Sequence, residues 1–211
     1  MARDWGQFAL LLIDVQRDFW SDSKQEDFPA FPANVARLLE LCRSEGLEVV
    51  HLRARYKPDM SDWMVRYRLF GHIPCVEGTA GVETLPFALE APGEVVLVKR
   101  TFDGFHSPEL LPHLLGKGKR FLLVGGLITS VCVFLTAASA AQLGFLVAVV
   151  EDCCADDALA HEQTLERYQF IFDRTTSAAM REHHSRWLAE LQELDAAVKT
   201  APTTAKSLFS D

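Results

Sequence analysis

A chain of 211 residues, 49% hydrophobic and 24% charged, carries enough apolar material for one well-buried core and is short for two. Its net charge of -8 argues against nucleic-acid binding, which draws its affinity from Lys and Arg that neutralise phosphates. Five cysteines, two of them adjacent at Cys153 and Cys154, do not suit a secreted disulfide framework; the first apolar run is too short for a membrane span and lacks the form of a signal peptide, so a cytoplasmic setting is expected.

The first element is the run Phe8 to Ile13 (FALLLI), continuously apolar as a parallel strand covered on both faces should be, and it ends on Asp14. In open α/β sheets the carboxyl ends of the strands face the ligand crevice, so Asp14 is either a reacting carboxylate or a capping residue of the loop. An aspartyl-phosphate phosphatase would also start this way, but it needs a second acid where this chain has Gln16. Residues 32–45 form a helix with Val35, Leu38, Leu39, Leu41 and Cys42 on one face and Gly46 as its stop. The second strand is 47–52, with His51 in its interior as a satisfied core histidine rather than a ligand. Residues 53–92 are the least regular stretch, punctuated by Pro58, Gly71, Pro74, Gly78, Gly81, Pro86 and Pro92, with a short amphipathic helix expected over 62–70. Long loops in compact domains often carry function, so Arg53, Arg55, Tyr56, Trp63 and His72 either line a substrate pocket or belong to solvated surface.

The third strand, 94–98, delivers Lys99 to its end, where a lysine either serves the same crevice or simply reaches solvent. Asp103-Gly104 marks a turn, and Ser107-Pro108 starts a helix through Leu115. The next strand begins at Phe121 and is expected to stop at the glycine pair Gly125-Gly126. A helix then runs from Ser130 to Leu143, with Gly144 as its stop, and places the Cys132 thiol in its first turn. Cys132 is either an ordinary buried cysteine or a thiol activated by unpaired N–H groups and the helix dipole. Residues 145–150 form a fifth strand ending in Glu151-Asp152, Asp156 and Asp157 cap a polar helix to about Tyr168, and 170–172 is a short last strand. A final helix spans about 177–198, and the tail from Thr200 to residue 211 is expected to be mobile. The alternation predicts one three-layer α/β domain over 1–199, with a mainly parallel sheet of about six strands. Strand order does not follow from it.

A parallel sheet would bring Asp14, Lys99 and Cys132 to one edge. A lysine ammonium about 4 Å from a thiolate contributes on the order of 4 kcal/mol at an effective dielectric of 20, or roughly three pKa units. That is enough to take a thiol from about 8.5 to below neutrality. A carboxylate beside them opposes this but can take the thiol proton and return it to a leaving group.

These residues also carry a family resemblance. LLIDVQRDF, VLVKRTFDGF and GGLITSVCVFLTA stand in the order and separation of three motifs of the isochorismatase-like cysteine hydrolases, and the match continues through GFLVAVVEDCCAD to His161, covering roughly residues 8–172. That family includes isochorismatases, nicotinamidases, N-carbamoylsarcosine amidases, ureidoacrylate amidases and biuret hydrolases. The resemblance implies Cys132 as nucleophile, Asp14 as general base and then acid, and Lys99 as the charge that stabilises the thiolate. It implies a cis peptide at Leu127-Ile128, turning the N–H groups of Ile128 and Cys132 toward an oxyanion, and it implies a homo-oligomer. The Asp-x-His metal site of the nicotinamidase branch is replaced by His51-Leu52-Arg53-Ala54-Arg55, so no metal and no cofactor are expected. Asp103-Gly104-Phe105 in the lysine motif is closer to the ureido and biuret amidases. Gln16, Phe19 and Phe105 join Arg53, Arg55, Tyr56 and Trp63 as candidate substrate contacts, the arginines suiting an anionic substrate.

The sequence therefore reads as a cysteine hydrolase that cleaves a small C–N amide or ureido bond through a thioester, with a small molecule as its partner and neither nucleic acid nor membrane. Two rivals remain: vinyl ether hydrolysis as in isochorismatases, where the aspartate dominates and the cysteine is dispensable, and a non-catalytic partner domain on the same fold.

Overall fold

A computed structural model describes residues 3–200. At its centre β1 (Phe8–Ile13) pairs in parallel with β2 (Glu48–Ala54) on one side and with β4 (Phe121–Leu127) on the other. Beyond β2 lies β3 (Val95–Lys99), and beyond β4 lie β5 (Leu146–Ala155) and β6 (Asp173–Thr175). The order is β3-β2-β1-β4-β5-β6 with every pairing parallel, and the chain reverses its direction of travel across the sheet between β1 and β4. A reversal of this kind opens a crevice at the carboxyl ends of the two strands.

The continuous apolar runs have the two-sided burial they imply. Leu10 and Leu12 of β1 enter one apolar layer with Phe31, Val35 and Leu38 of α2 (Phe31–Glu45) and Trp187 and Leu191 of α7 (Met180–Thr200). Ala9, Leu11 and Ile13 enter the other with Leu110 and Leu114 of α4 (Leu110–Gly116), Ala137 and Ala140 of α5 (Phe134–Gln142) and Leu165 of α6 (Ala158–Arg167). Complete burial of such side chains contributes roughly 1.5–3 kcal/mol each, so this sandwich fixes the register that delivers the strand ends. Two short helices, α1 (Asp22–Asp27) and α3 (Val65–Phe70), lie outside the layers and bury none of their side chains.

Several boundaries differ from the sequence reading, each for a local reason. The Gly125-Gly126 pair does not stop β4, which runs on to Leu127. Gly126 has φ +125°, and a Cβ there would stand 2.0 Å from the Ile13 carbonyl oxygen, so the glycine allows β1 and β4 to meet closely at the reversal. The strand β5 continues through Glu151-Asp152 because both carboxylates find partners, Arg174 Nε at 2.6 Å and the Ser177 N–H at 2.7 Å. The last strand is Asp173–Thr175 rather than 170–172; Phe170 is 83% exposed, and the polar strand is held by ion pairs from Arg186 and Arg174. Helix α4 starts at Leu110, past Ser107-Pro108, and α1 has no counterpart in the reading. Of the tail expected from Thr200 onward, residues 201–211 lie outside those described. Among the described residues no helix is long and apolar enough to cross a membrane.

Candidate active site

Asp14 follows β1 directly and takes a left-handed backbone conformation, φ +51°, which Asp tolerates better than most residues. Its N–H donates to the Leu52 carbonyl at 2.8 Å, and its Oδ1 accepts the Ala54 N–H at 2.9 Å, so the carboxylate is aimed by the backbone of the neighbouring strand. Lys99 closes β3 opposite Ala54 in register. Cys132 sits in a π-helical turn, Thr129–Val133, that continues into α5. Three strand ends thus bring the three side chains together: Lys99 Nζ lies 2.6 Å from Asp14 Oδ2 and 3.6 Å from Cys132 Sγ, and it donates to the Thr101 carbonyl at 2.9 Å. The Asp14 charge also acts on the thiol. Asp14 Oδ2 makes no well-directed hydrogen bond among the described residues beyond its ion pair with Lys99, so it keeps capacity to accept a proton. All three are buried, with Cys132 at 5% exposure the most accessible of the five thiols, the others being at 1% or less.

Burial reverses one expectation. It pushes the Cys132 thiol up, the Asp14 charge pushes the same way, and Lys99 pulls it down without prevailing, so the thiol is not ionised in advance at neutral pH. Burial also raises the Asp14 carboxyl, again against Lys99. Burial disfavours the Lys99 cation, yet its two acidic neighbours hold its pKa above the ordinary value. A Coulomb estimate at fixed dielectric leaves out desolvation and the second acid. One cation faces two acids, and the charges cancel when carboxyl and thiol hold a single proton between them.

The peptide bond Leu127-Ile128 is cis. The Ile128 carbonyl accepts the N–H groups of Val131 and Val133 at 3.1 and 3.2 Å, starting the turn that carries Cys132.

The remaining candidates divide. Tyr56 is buried near Asp14 and Cys132; burial raises its phenol, and both neighbouring charges add to the effect. Trp63 belongs to the same small cluster with Ile73 and Cys75, its indole donating to the Lys57 carbonyl at 2.7 Å, and Phe19 packs against it. Gln16 is fully engaged: its amide donates to the Ala54 and Val82 carbonyls and accepts the Ala54 N–H, each at 2.9 Å, which makes it a tie between strand end and loop and not a substrate contact. Arg53 is paired with Glu90 and is not free for an anion. Arg55 and His72 are exposed. Phe105 turns toward Phe145, which precedes β5 at the opposite end of the sheet, with ring centroids 6.0 Å apart, and is not part of this site. His51 is a satisfied core histidine, 2.9 Å from Glu94. Sequence reading missed Tyr67, which feels the Cys132 charge and meets Phe102 edge-on at 6.1 Å. It missed the role of Ala54, because a backbone N–H leaves no mark in side-chain identity. Among the described residues no group of three or more His, Cys, Asp or Glu could hold a metal ion.

The family model of the isochorismatase domain matches residues 8–180. The chain belongs to the isochorismatase family. It is similar to an uncharacterised isochorismatase family protein, YddQ, of Bacillus subtilis, 28% identical over 94% of this chain and 98% of that one. It is similar also to the maleamate amidohydrolase of Pseudomonas putida, 31% identical over 72% of this chain and 77% of the relative. Among solved structures, an isochorismatase family protein from Desulfovibrio vulgaris is 30% identical and superposes with a TM-score of 0.76, covering 83% of this chain and 97% of that one. The family's members are hydrolases, and the relatives include amidohydrolases, so this chain is an isochorismatase-family hydrolase.

Proposed function

We propose that the protein hydrolyses a C–N amide or ureido bond of a small molecule through a thioester on Cys132, without a cofactor. The observation that carries this reading is the buried contact set in which one ammonium, Lys99, touches both the Asp14 carboxylate and the Cys132 sulfur. The similarity to a maleamate amidohydrolase supports the bond type.

As Sγ attacks the carbonyl carbon, its proton passes to Asp14 and the S–C bond forms while the carbonyl π bond becomes an oxyanion. The N–H groups of Ile128 and Cys132 hold that oxyanion. When the tetrahedral adduct collapses, the C–N bond breaks and Asp14 returns the proton to the departing nitrogen, releasing an amine or ammonia and leaving the thioester. Water then attacks the thioester carbonyl and gives a proton to Asp14. The S–C bond breaks, and the proton returns to the thiolate as the acid leaves. Lys99 remains protonated throughout; its charge stabilises whichever partner is the anion, so the proton moves between two neighbours without a change in net charge at a buried site. Tyr56, Trp63 and Tyr67 wall the approach, and a second copy of the chain is the partner proposed on family grounds.

The test is release of ammonia or amine across a panel of small monoamides and ureido acids, with wild type beside Cys132→Ala. The expected result is turnover of at least one compound, with a loss on the order of 10^4-fold or more in the variant. A compound hydrolysed equally well by Cys132→Ala would exclude the thioester route.

A further inference from the structure

We infer that Asp156 and His161 position the nucleophile, holding the turn of Cys132 from the β5–α6 side of the sheet, away from the β1 and β3 ends that carry Asp14 and Lys99. The inference rests on the reading of Cys132 as the attacking group.

Adjacent aspartates after β5 divide their work. Asp157 caps its own helix, its Oδ1 accepting the Leu159 and Ala160 N–H groups at 3.1 and 3.2 Å. Asp156, read from sequence as part of the same cap, turns away from α6. Its Oδ2 accepts both the N–H and the hydroxyl of Ser130, at 2.8 and 2.5 Å, and its Oδ1 accepts the Asp157 N–H at 2.8 Å. Asp156 is 8% exposed, and its two oxygens take three hydrogen bonds. Four residues into α6, His161 Nδ1 shares a 2.8 Å hydrogen bond with the hydroxyl of Thr129. Its ring is fixed in turn by the edge of Phe28, with centroids 4.9 Å apart.

Thr129 and Ser130 open the turn, two residues and one before the Val131–Cys132 pair whose backbone carries the sulfur. The turn is π-helical, wider than an α turn, and lacks a side-chain cap from its own N-cap residue, Ile128. Its placement therefore depends on partners from outside the helix. Asp156 comes from the segment joining β5 to α6 and His161 from α6 itself, whereas Lys99 and Asp14 come from β3 and β1. The sulfur stands 3.6 Å from Lys99 because the turn is fixed on its other side. Misplacement of a reacting atom by about 1 Å costs up to about 10²-fold in rate, so these contacts matter to the chemistry even though neither residue touches the reacting atoms.

The experiment compares Asp156→Ala, Asp156→Asn, Ser130→Ala and, as a matched control, Asp157→Ala. Three quantities are read: kcat and KM on a substrate found in the amide panel, the pH profile of iodoacetamide alkylation at Cys132 by mass spectrometry, and Tm. Asp156→Ala is expected to lower kcat by about 10- to 100-fold with KM within about threefold, and to slow Cys132 alkylation at neutral pH as the sulfur drifts from Lys99. Asp156→Asn, whose amide oxygen still accepts the Ser130 N–H, should recover most of the loss. Ser130→Ala, which removes only the hydroxyl contact and keeps the fold, should show a smaller loss of the same kind. Asp157→Ala should lower Tm as much as Asp156→Ala does while leaving kcat and alkylation at the wild-type level.

Loss of Tm in Asp156→Ala with unchanged kcat and an unchanged alkylation profile would reduce Asp156 to a structural cap and overturn the inference. So would an Asn variant as slow as the Ala variant, since charge and not geometry would then be at work. Two readouts separate the two readings: Cys132→Ala turning over the substrate as fast as wild type removes the nucleophile reading, whereas a Cys132 whose alkylation pH profile is the same in wild type and Asp156→Ala removes only the positioning role.

Discussion

The seam between β1 and β4 and the segment 53–92 border the same edge of the sheet, yet they are held by different means. The seam is fixed by backbone: two parallel ladders, a glycine at φ +125° where the strands nearly touch, and N–H groups that aim Asp14. The segment has only isolated backbone bonds, such as Tyr56 N–H to the Cys75 carbonyl and Leu85 N–H to the Val15 carbonyl, and adds to them side chains reaching across the chain. Gln16 bridges Ala54 and Val82, Asp18 holds the Cys75 N–H, Asp62 ties Lys57 to Arg100, and Glu94 gathers Arg43, His51 and the Ala91 N–H. The comparison teaches a division of labour. The Asp14–Lys99–Cys132 cluster sits where main-chain pairing sets position, and the segment beside it leans more on separate polar ties.

The seam should break most severely. Gly126→Ala forces a Cβ into the Ile13 carbonyl and a strained φ, with neither strand able to retreat inside the sandwich. Urea denaturation should show a loss of about 3–5 kcal/mol, or no folded protein at all. A loss under about 1 kcal/mol would mean that the seam yields, and the contrast with the loop would vanish.

A tie of the segment should cost less and should depend on pH. Burial raises the Glu94 carboxyl, but the hydrogen bonds from Arg43, the Ala91 N–H and His51 outweigh it and bring the pKa down to about 2. A depressed carboxylate contributes stability that is present above its ordinary pKa, about 4.3, and is lost as pH falls through the folded value. Glu94→Gln should therefore destabilise the protein by roughly 1–3 kcal/mol at neutral pH, and the gap from wild type should close as pH falls toward 2. A gap independent of pH would show that the charge of Glu94 is not what holds this corner.

The smallest effect is expected at Arg53, whose partner Glu90 is more than a third exposed. Arg53→Ala should change stability by less than about 1 kcal/mol and leave KM for a carboxylate-bearing amide within about twofold. A tenfold rise in KM would put Arg53 in contact with the substrate and blur the line between the two regions.

The same contrast explains what could be read from the sequence. The β1 and β4 runs, Asp14 at one strand end and Lys99 at another were legible because two-sided burial and strand termini show themselves in composition. The glycine pair was legible as an irregularity but not as a close approach, which needs the partner strand. Glu151-Asp152 looked like a strand end because their partners, Arg174 and Ser177, lie more than twenty residues away. Asp156 reads as a cap, but the turn it holds is not legible, since a partner 26 residues away has no local signature. The thiol's pKa is not legible in the sequence, because desolvation belongs to the folded environment and appears in no pairwise sum over sequence.

Asp14→Asn tests the central claim most directly, with turnover and Cys132 alkylation measured on the same folded sample. Asn accepts the left-handed backbone of this position, so the fold should persist. With the carboxylate gone, Lys99 faces the thiol alone, so the thiol's pKa should fall and alkylation at neutral pH should speed up. Turnover should nevertheless drop by about 10²- to 10⁴-fold, because no group remains to take the thiol proton and return it to the leaving nitrogen. Faster alkylation with collapsed turnover is the predicted result; turnover near the wild-type level would contradict the account.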